Sequence, residues 1–233
     1  MGSRLEPEAE ISPLPNADGS VAFSYAGYKV TASVNGPIET VKRDEYAFEA
    51  FVDVVSALRQ LIPIRNFPRC LIQITLQVTG IPENEYANGK VTQYNMNLPI
   101  IPALLHAAIL ALLSGAMPLK GIATAALVIV PEATSDEKTI VDPTPVQISR
   151  ARSVHVLAFT SEGDLLLSES EGQFSLADWD EVVGAARQVC FRSQDDMDTD
   201  EKAGVARPAD MKQFIRTAMA SKVAADLHWR IPS

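Results

Sequence analysis

The sequence predicts an α/β protein of βαβα units, with helices packed on mixed β-sheets. Three observations carry that expectation. The first third alternates apolar and polar residues as strands do, and an uncharged apolar stretch in the middle reads as a buried helix. Strand-like segments then lead into two amphipathic helical ones.

In order, Gly19–Gly27 ("GSVAFSYAG") and Tyr28–Gly36 ("YKVTASVNG") are β-rich, with glycine at the breaks. Asp44–Val55 ("DEYAFEAFVDVV") alternates and is expected as a strand with one wet face. Cys70–Gly80 does the same, with Gln73, Thr75 and Gln77 on one side. The apolar helix is expected from about Pro102, a residue suited to a first turn, to near Leu113. Gly121–Val130 is almost continuously apolar, as a strand covered on both faces should be. Ile140–Phe159 reads as strand, turn and strand, followed by a hairpin through "SEGD". Ser175–Cys190 opens with Ser175 three residues before Asp178, close to a capping box. A last helix is expected from Pro208 to about His228, after an acidic linker at about 194–204.

One join is irregular. A strand ending at Val55 would run directly into "SALRQLIPIRNF", the tail of a helix, although connections usually take roughly 4–6 residues. The expectation is that a loop and a helix start are missing after Val55, in a chain that otherwise forms one domain over residues 1–233.

Composition narrows the function classes. The 233 residues are 47% apolar and 21% charged, enough for a substantial core. A net charge of −9 argues against a protein that coats nucleic acid by itself, because such binding neutralises phosphates. Cys70 and Cys190 form no metal-binding pattern and read as small apolar residues in a reducing setting. Leu98–Leu119 carries no formal charge, but its prolines leave too short a helix to span a bilayer. No P-loop, dinucleotide fingerprint or HExxH occurs, so no cofactor or metal is implied. His106, His155 and His228 have no neighbouring nucleophile motif and read as structural. Asp142, beside Pro143, is the one carboxylate in the Ile140–Phe159 stretch: half of an acidic site, or the maker of an Asp-Pro turn.

Several stretches together resemble the RNase PH-like family. Ser12–Glu39 resembles its opening hairpin, with an "ADGS" turn and a strand reaching "GPIE". Phe67–Val78 ("FPRCLIQITLQV"), "IVDPT" at Ile140–Thr144 and Ser168–Ala186 resemble later strands and the closing helix. Within the family, "GPIE" and "VDPT" look most like non-phosphorolytic ring subunits of the eukaryotic RNA exosome. Active members of the family shorten RNA from its 3′ end with inorganic phosphate, held by a "GGTR" loop. Here "PIIPA" stands in that place, so Pro99 and Pro102 remove N–H donors and no arginine remains. Where active members carry two carboxylates, Ile148 and Ser153 stand nearest, and Asp142 matches an earlier turn aspartate.

The resemblance therefore implies a catalytically silent building block without a cofactor. It would work beside other RNase PH-like ring subunits, cap subunits with RNA-binding domains, an associated exoribonuclease and RNA in a shared channel. No membrane is involved, and the setting would be nucleus, nucleolus and cytoplasm. An active phosphorolytic exoribonuclease and a free-standing RNA-binding module are the alternatives. Lys42, Arg43, Arg65, Arg69, Arg150 and Arg152 are the candidates for RNA contact, or else for salt bridges and a solvated strand edge.

Overall fold

The computed structural model describes residues 6–39, 49–68, 70–82, 97–132, 138–191 and 210–230. Sheet 1 comprises β1 (Glu8–Ile11), β2 (Gly19–Tyr25), β3 (Tyr28–Glu39) and β4 (Cys70–Gly80), in that spatial order. Helix α1 (Glu49–Leu61) intervenes before β4, and α2 (Asn97–Ser114) follows it. Sheet 2 has the order β6-β5-β7-β8, from β5 (Ala123–Pro131), β6 (Ile140–Val141), β7 (Ala151–Thr160) and β8 (Leu165–Gly172). The short helix α3 (Pro145–Ser149) links β6 to β7, and α4 (Leu176–Cys190) and α5 (Met211–Asp226) complete the chain. The chain is α/β, as expected. The sheets differ in one respect: every described pairing is antiparallel rather than mixed.

Layering follows from which faces are apolar. Helix α2 is hydrophobic all round and packs against β2 and β3 on one side and β5 and β7 on the other. Its Leu104, Leu105, Leu110 and Leu112 are fully buried, each worth about 1.5–3 kcal/mol of burial. Strand β5 is continuously apolar because it too is covered twice. Ala123, Ala125 and Leu127 face the α2 core, while Ala126, Val128 and Val130 join a second core under α4 with Val182, Ala186 and Cys190.

Three sequence expectations are corrected here. Val55 lies inside α1, not at the end of a strand: Val54, Ala57, Leu58 and Leu61 are buried at helical spacing. Strand-like composition in "FVDVV" yields to that periodicity, and the strand-to-helix join that suggested missing residues falls within one continuous helix. Helix α2 also starts earlier than expected, at Asn97, so that Pro99 sits in its first turn and Pro102 within it. Even so, no described helix is long and apolar enough to cross a membrane. Finally, Thr144 caps α3, a helix not anticipated, through a complete capping box with Gln147 and with Pro145 in the first turn.

The remaining caps follow the sequence. Ser175 and Asp178 form a full capping box at α4, and the Asp210 side chain accepts from the Gln213 N–H at α5. "GPIE" forms the last four residues of β3, as expected, at a bulge opposite Leu71, and Gly36 there has φ +125°. The Gly36 N–H donates to Asp18 Oδ2 at 2.8 Å, so the "ADGS" and "GPIE" segments are bonded to each other. The acidic stretch at about 194–204 lies outside the described residues.

Candidate functional site

Three of the four positions singled out by the resemblance converge. Pro99 and Pro102 come from α2, and Ile148 comes from α3. They line one small cavity with Tyr25, Tyr28 and Asp142, further walled by Pro82, Pro143 and Pro145. Its volume is ≈ 20 Å³, room for about one water molecule and not for a phosphate with its nucleotide. Five of those wall residues, Pro82, Pro99, Pro102, Pro143 and Pro145, offer no backbone N–H to an anion.

Asp142 supplies the charged group of this cavity, and its geometry answers the question raised by the sequence. It sits at φ +49° directly after β6, and its N–H donates to the Leu127 carbonyl at 3.0 Å. This is the turn role expected of Asp-Pro. Its carboxylate does more: Oδ2 accepts from the Tyr25 hydroxyl at 2.6 Å, joining sheet 2 to sheet 1 across 117 residues of chain. Burial pushes the Asp142 carboxyl above its usual range, and the Tyr25 hydrogen bond pulls it partly back. Burial likewise pushes the Tyr28 phenol up to about 12, so it stays protonated at neutral pH. The arrangement is a tie between the two sheets.

A substitution pair separates that role from a catalytic one. Tyr25→Phe is expected to lose about 1–3 kcal/mol, because it takes a donor from a largely enclosed carboxylate. Asp142→Asn keeps an acceptor, suits the positive φ and removes the buried charge, so it should be neutral or stabilising at pH 7. The sign follows from the raised carboxyl: the folded state holds that proton better, so its contribution is present at low pH and lost as pH rises. Urea denaturation of both variants at pH 5 and pH 7 checks the pair. A large loss in Asp142→Asn would contradict the structural role.

Ser153, the fourth position, lies elsewhere. It is buried on β7, and its hydroxyl is 2.9 Å from His155 Nε2, while Ser170 Oγ is 2.8 Å from Nδ1. A histidine flanked by two serines has the parts of a nucleophile and base, but Ser153 and His155 are buried and no substrate could reach them. Phe174 and Trp179 pack on the imidazole at ring separations of 4.7 and 5.8 Å. Burial lowers the His155 pKa, with Asp178 opposing the shift, and the residue serves as an internal polar strut.

The basic candidates are distributed over separate elements. Arg65 is exposed in the 3-10 turn Ile64–Asn66 before β4, and Arg150 is exposed at the C-cap of α3. Arg152, on β7, donates to Asp178 Oδ2, a carboxylate that also caps α4, so its charge is already matched within the chain. Lys42, Arg43 and Arg69 lie outside the described residues. Among the described residues no group of His, Cys, Asp and Glu is arranged to hold a metal ion. Sequence reasoning missed the two tyrosines. Their signal was the "SYAGYK" turn, which pairs Tyr25 with Tyr28 across the β2–β3 hairpin.

No family model matches the chain. It is 29% identical over 209 residues to the exosome complex component RRP46 of Saccharomyces cerevisiae, covering 78% of this chain and 89% of the yeast protein. Its fold is similar to the crystal structure of rice (Oryza sativa) Rrp46, with a TM-score of 0.69 and 18% identity, covering 94% of this chain and 96% of the rice one. The RNase PH-like α/β fold expected from the sequence is the fold observed.

Proposed function

We propose that this RRP46-like chain is a non-catalytic structural subunit of the RNA exosome core ring, supporting 3′-to-5′ RNA processing and degradation. The carrying observation is the cavity at Pro99, Pro102 and Ile148: it is narrow, poor in N–H donors and walled in part by the Asp142 carboxylate. Such a site repels an anion rather than binding one, and no second carboxylate stands beside Asp142 in its wall. The phosphate loop and the carboxylate pair of an active relative are, on this reading, replaced by packing.

The chain would act as one RNase PH-like domain over residues 1–233, with the acidic stretch at about 194–204 as a linker. It would hold neighbouring RNase PH-like subunits and line part of an RNA channel leading to a separate exoribonuclease, below cap subunits with RNA-binding domains. Arg65 and Arg150 are the described candidates for RNA contact, with Lys42, Arg43 and Arg69 beside them in the proposal. Arg152 is a weaker candidate, being paired with Asp178. The compartments would be nucleus, nucleolus and cytoplasm, where RNA is matured and degraded.

The test is an incubation of the purified chain with labelled RNA, inorganic phosphate and Mg²⁺. The expected result is no shortening from the 3′ end above a protein-free control. Processive shortening abolished by Asp142→Ala would overturn the reading in favour of a phosphorolytic enzyme. Native mass measurement of the chain co-expressed with ring subunits should show a heteromeric assembly.

A further inference from the structure

We propose that the edge of β4 left unpaired among the described residues, with the groove between β4 and α1, is the seat of an added β-strand from a neighbouring subunit. That strand would carry alternate apolar side chains and have carboxylates at its flank. This rests on the ring-subunit reading above and assigns it a contact surface.

The first argument is the edge itself. Strand β4 is last in sheet 1 and pairs only with β3 among the described residues. It runs for 11 residues, "CLIQITLQVTG", without a charged residue or a proline. Edge strands of monomers ordinarily carry lysines, prolines or covering loops that block further pairing. The described part of β4 carries none of the first two.

The second argument is the side chains. Ile74 and Leu76 lie opposite Val34 and Ala32, both fully buried on the inner face of the sheet, yet remain half-buried themselves, as does Ile72. They open into a groove of ≈ 540 Å³, whose other wall includes Val55 and Ile64, 47% and 49% exposed. An apolar row at two-residue spacing beside a free backbone edge matches one occupant. An extended strand supplies N–H and C=O groups to the edge and places every second side chain in the groove. A small apolar ligand would leave the edge groups unmet.

The third argument is charge. Arg59 lines the groove from the last turn of α1, and Arg65 follows on the same connection, both exposed and in no ion pair among the described residues. A partner segment flanked by Asp or Glu would meet them. A second copy of β4 would not, since β4 has no carboxylate and pairing would bring together two cationic rims.

Cys70 gives the readout. It is exposed in the groove wall, whereas Cys190 is buried, with its thiol pushed up to about 11. Labelling with N-ethylmaleimide should modify Cys70 readily in the isolated chain and at least about tenfold more slowly after assembly with co-expressed exosome ring subunits. Ile64→Glu and Arg59→Glu, both at exposed positions, should each weaken assembly by about tenfold or more, the equivalent of about 1.4 kcal/mol, with unchanged melting of the isolated chain. Full labelling of Cys70 within an assembled ring would overturn the strand-docking proposal alone. Failure of the unaltered chain to enter any ring would overturn the subunit reading and this inference with it. Concentration-dependent protection of Cys70 in the isolated chain would point to a second copy and overturn the partner assigned here.

Discussion

Gly19→Ala is expected to cost the fold about 3 kcal/mol or more, enough to sharply reduce the yield of soluble protein. A Cβ at Gly19 would stand 2.3 Å from the Ala111 carbonyl oxygen and 2.4 Å from the Gly115 nitrogen. Both are backbone atoms at the end of α2, so neither can swing aside as a long side chain would. Relief would require β2 to move away from α2, opening the principal core around Val21 and Phe23. The natural control is Gly184→Ala in α4, where nothing lies within 4 Å of the added carbon. That change should stabilise by about 0.5–1 kcal/mol through helix propensity alone. Urea midpoints of the two variants check the contrast, with soluble yield as the measure if the first does not fold.

The second large effect belongs to His106. Strand β6 pairs with β5 only at Val128 and Ile129, so farther along that edge the strand has no neighbour strand among the described residues. There the Ala125 N–H donates at 3.0 Å to Nε2 of His106, which is completely buried in α2. A helix side chain thus substitutes for a missing strand. Because Nε2 accepts, Nδ1 carries the hydrogen, and it has no hydrogen-bond partner. His106→Ala should destabilise by about 2–4 kcal/mol, combining an unmet buried N–H with a void at the imidazole.

The pH response of His106 has a definite sign. Burial lowers its pKa from 6.5 to about 3, so the unfolded chain binds a proton that the folded one refuses. Its contribution is complete above pH 6.5 and is lost as pH falls toward 3, at about 1.4 kcal/mol per pH unit within that window. Replacing His106 with leucine should flatten this part of the stability profile while lowering stability at pH 7. Equal acid slopes in the two proteins would count against the assignment.

Much of the fold was legible because its signals are local. Ser175 and Asp178 announce α4 through a capping box, and the unbroken apolar run of β5 announces a strand covered on both faces. The errors were equally local. In α1, β-branched and aromatic residues imitate alternation, while the buried set Val54, Ala57, Leu58 and Leu61 carries the helical period. In α3, "TPVQ" has a threonine cap, a proline in the first turn and a glutamine at the third position, but five residues are short enough to pass as a turn.

The site was legible only by what it lacks. Pro99, Pro102 and Ile148 could be placed by resemblance, yet no spacing rule shows that they share a wall. Nor could it show that Asp142 is held by Tyr25, since that bond closes over a chain separation where sequence pattern has no reach. Ser153 was grouped with the others by its place after Asp142, but β7 turns it toward His155.

The position of α2 bears on how the molecule comes apart. Its residues serve both sheets at once, so neither sheet can shed its cover without stripping the other. Heat or denaturant should therefore find one cooperative unit there, not two halves that melt in turn. Helix α4 belongs to the smaller second core and, among the described residues, packs chiefly on sheet 2. It is the part that can detach first, exchanging its amide hydrogens while the central helix remains closed.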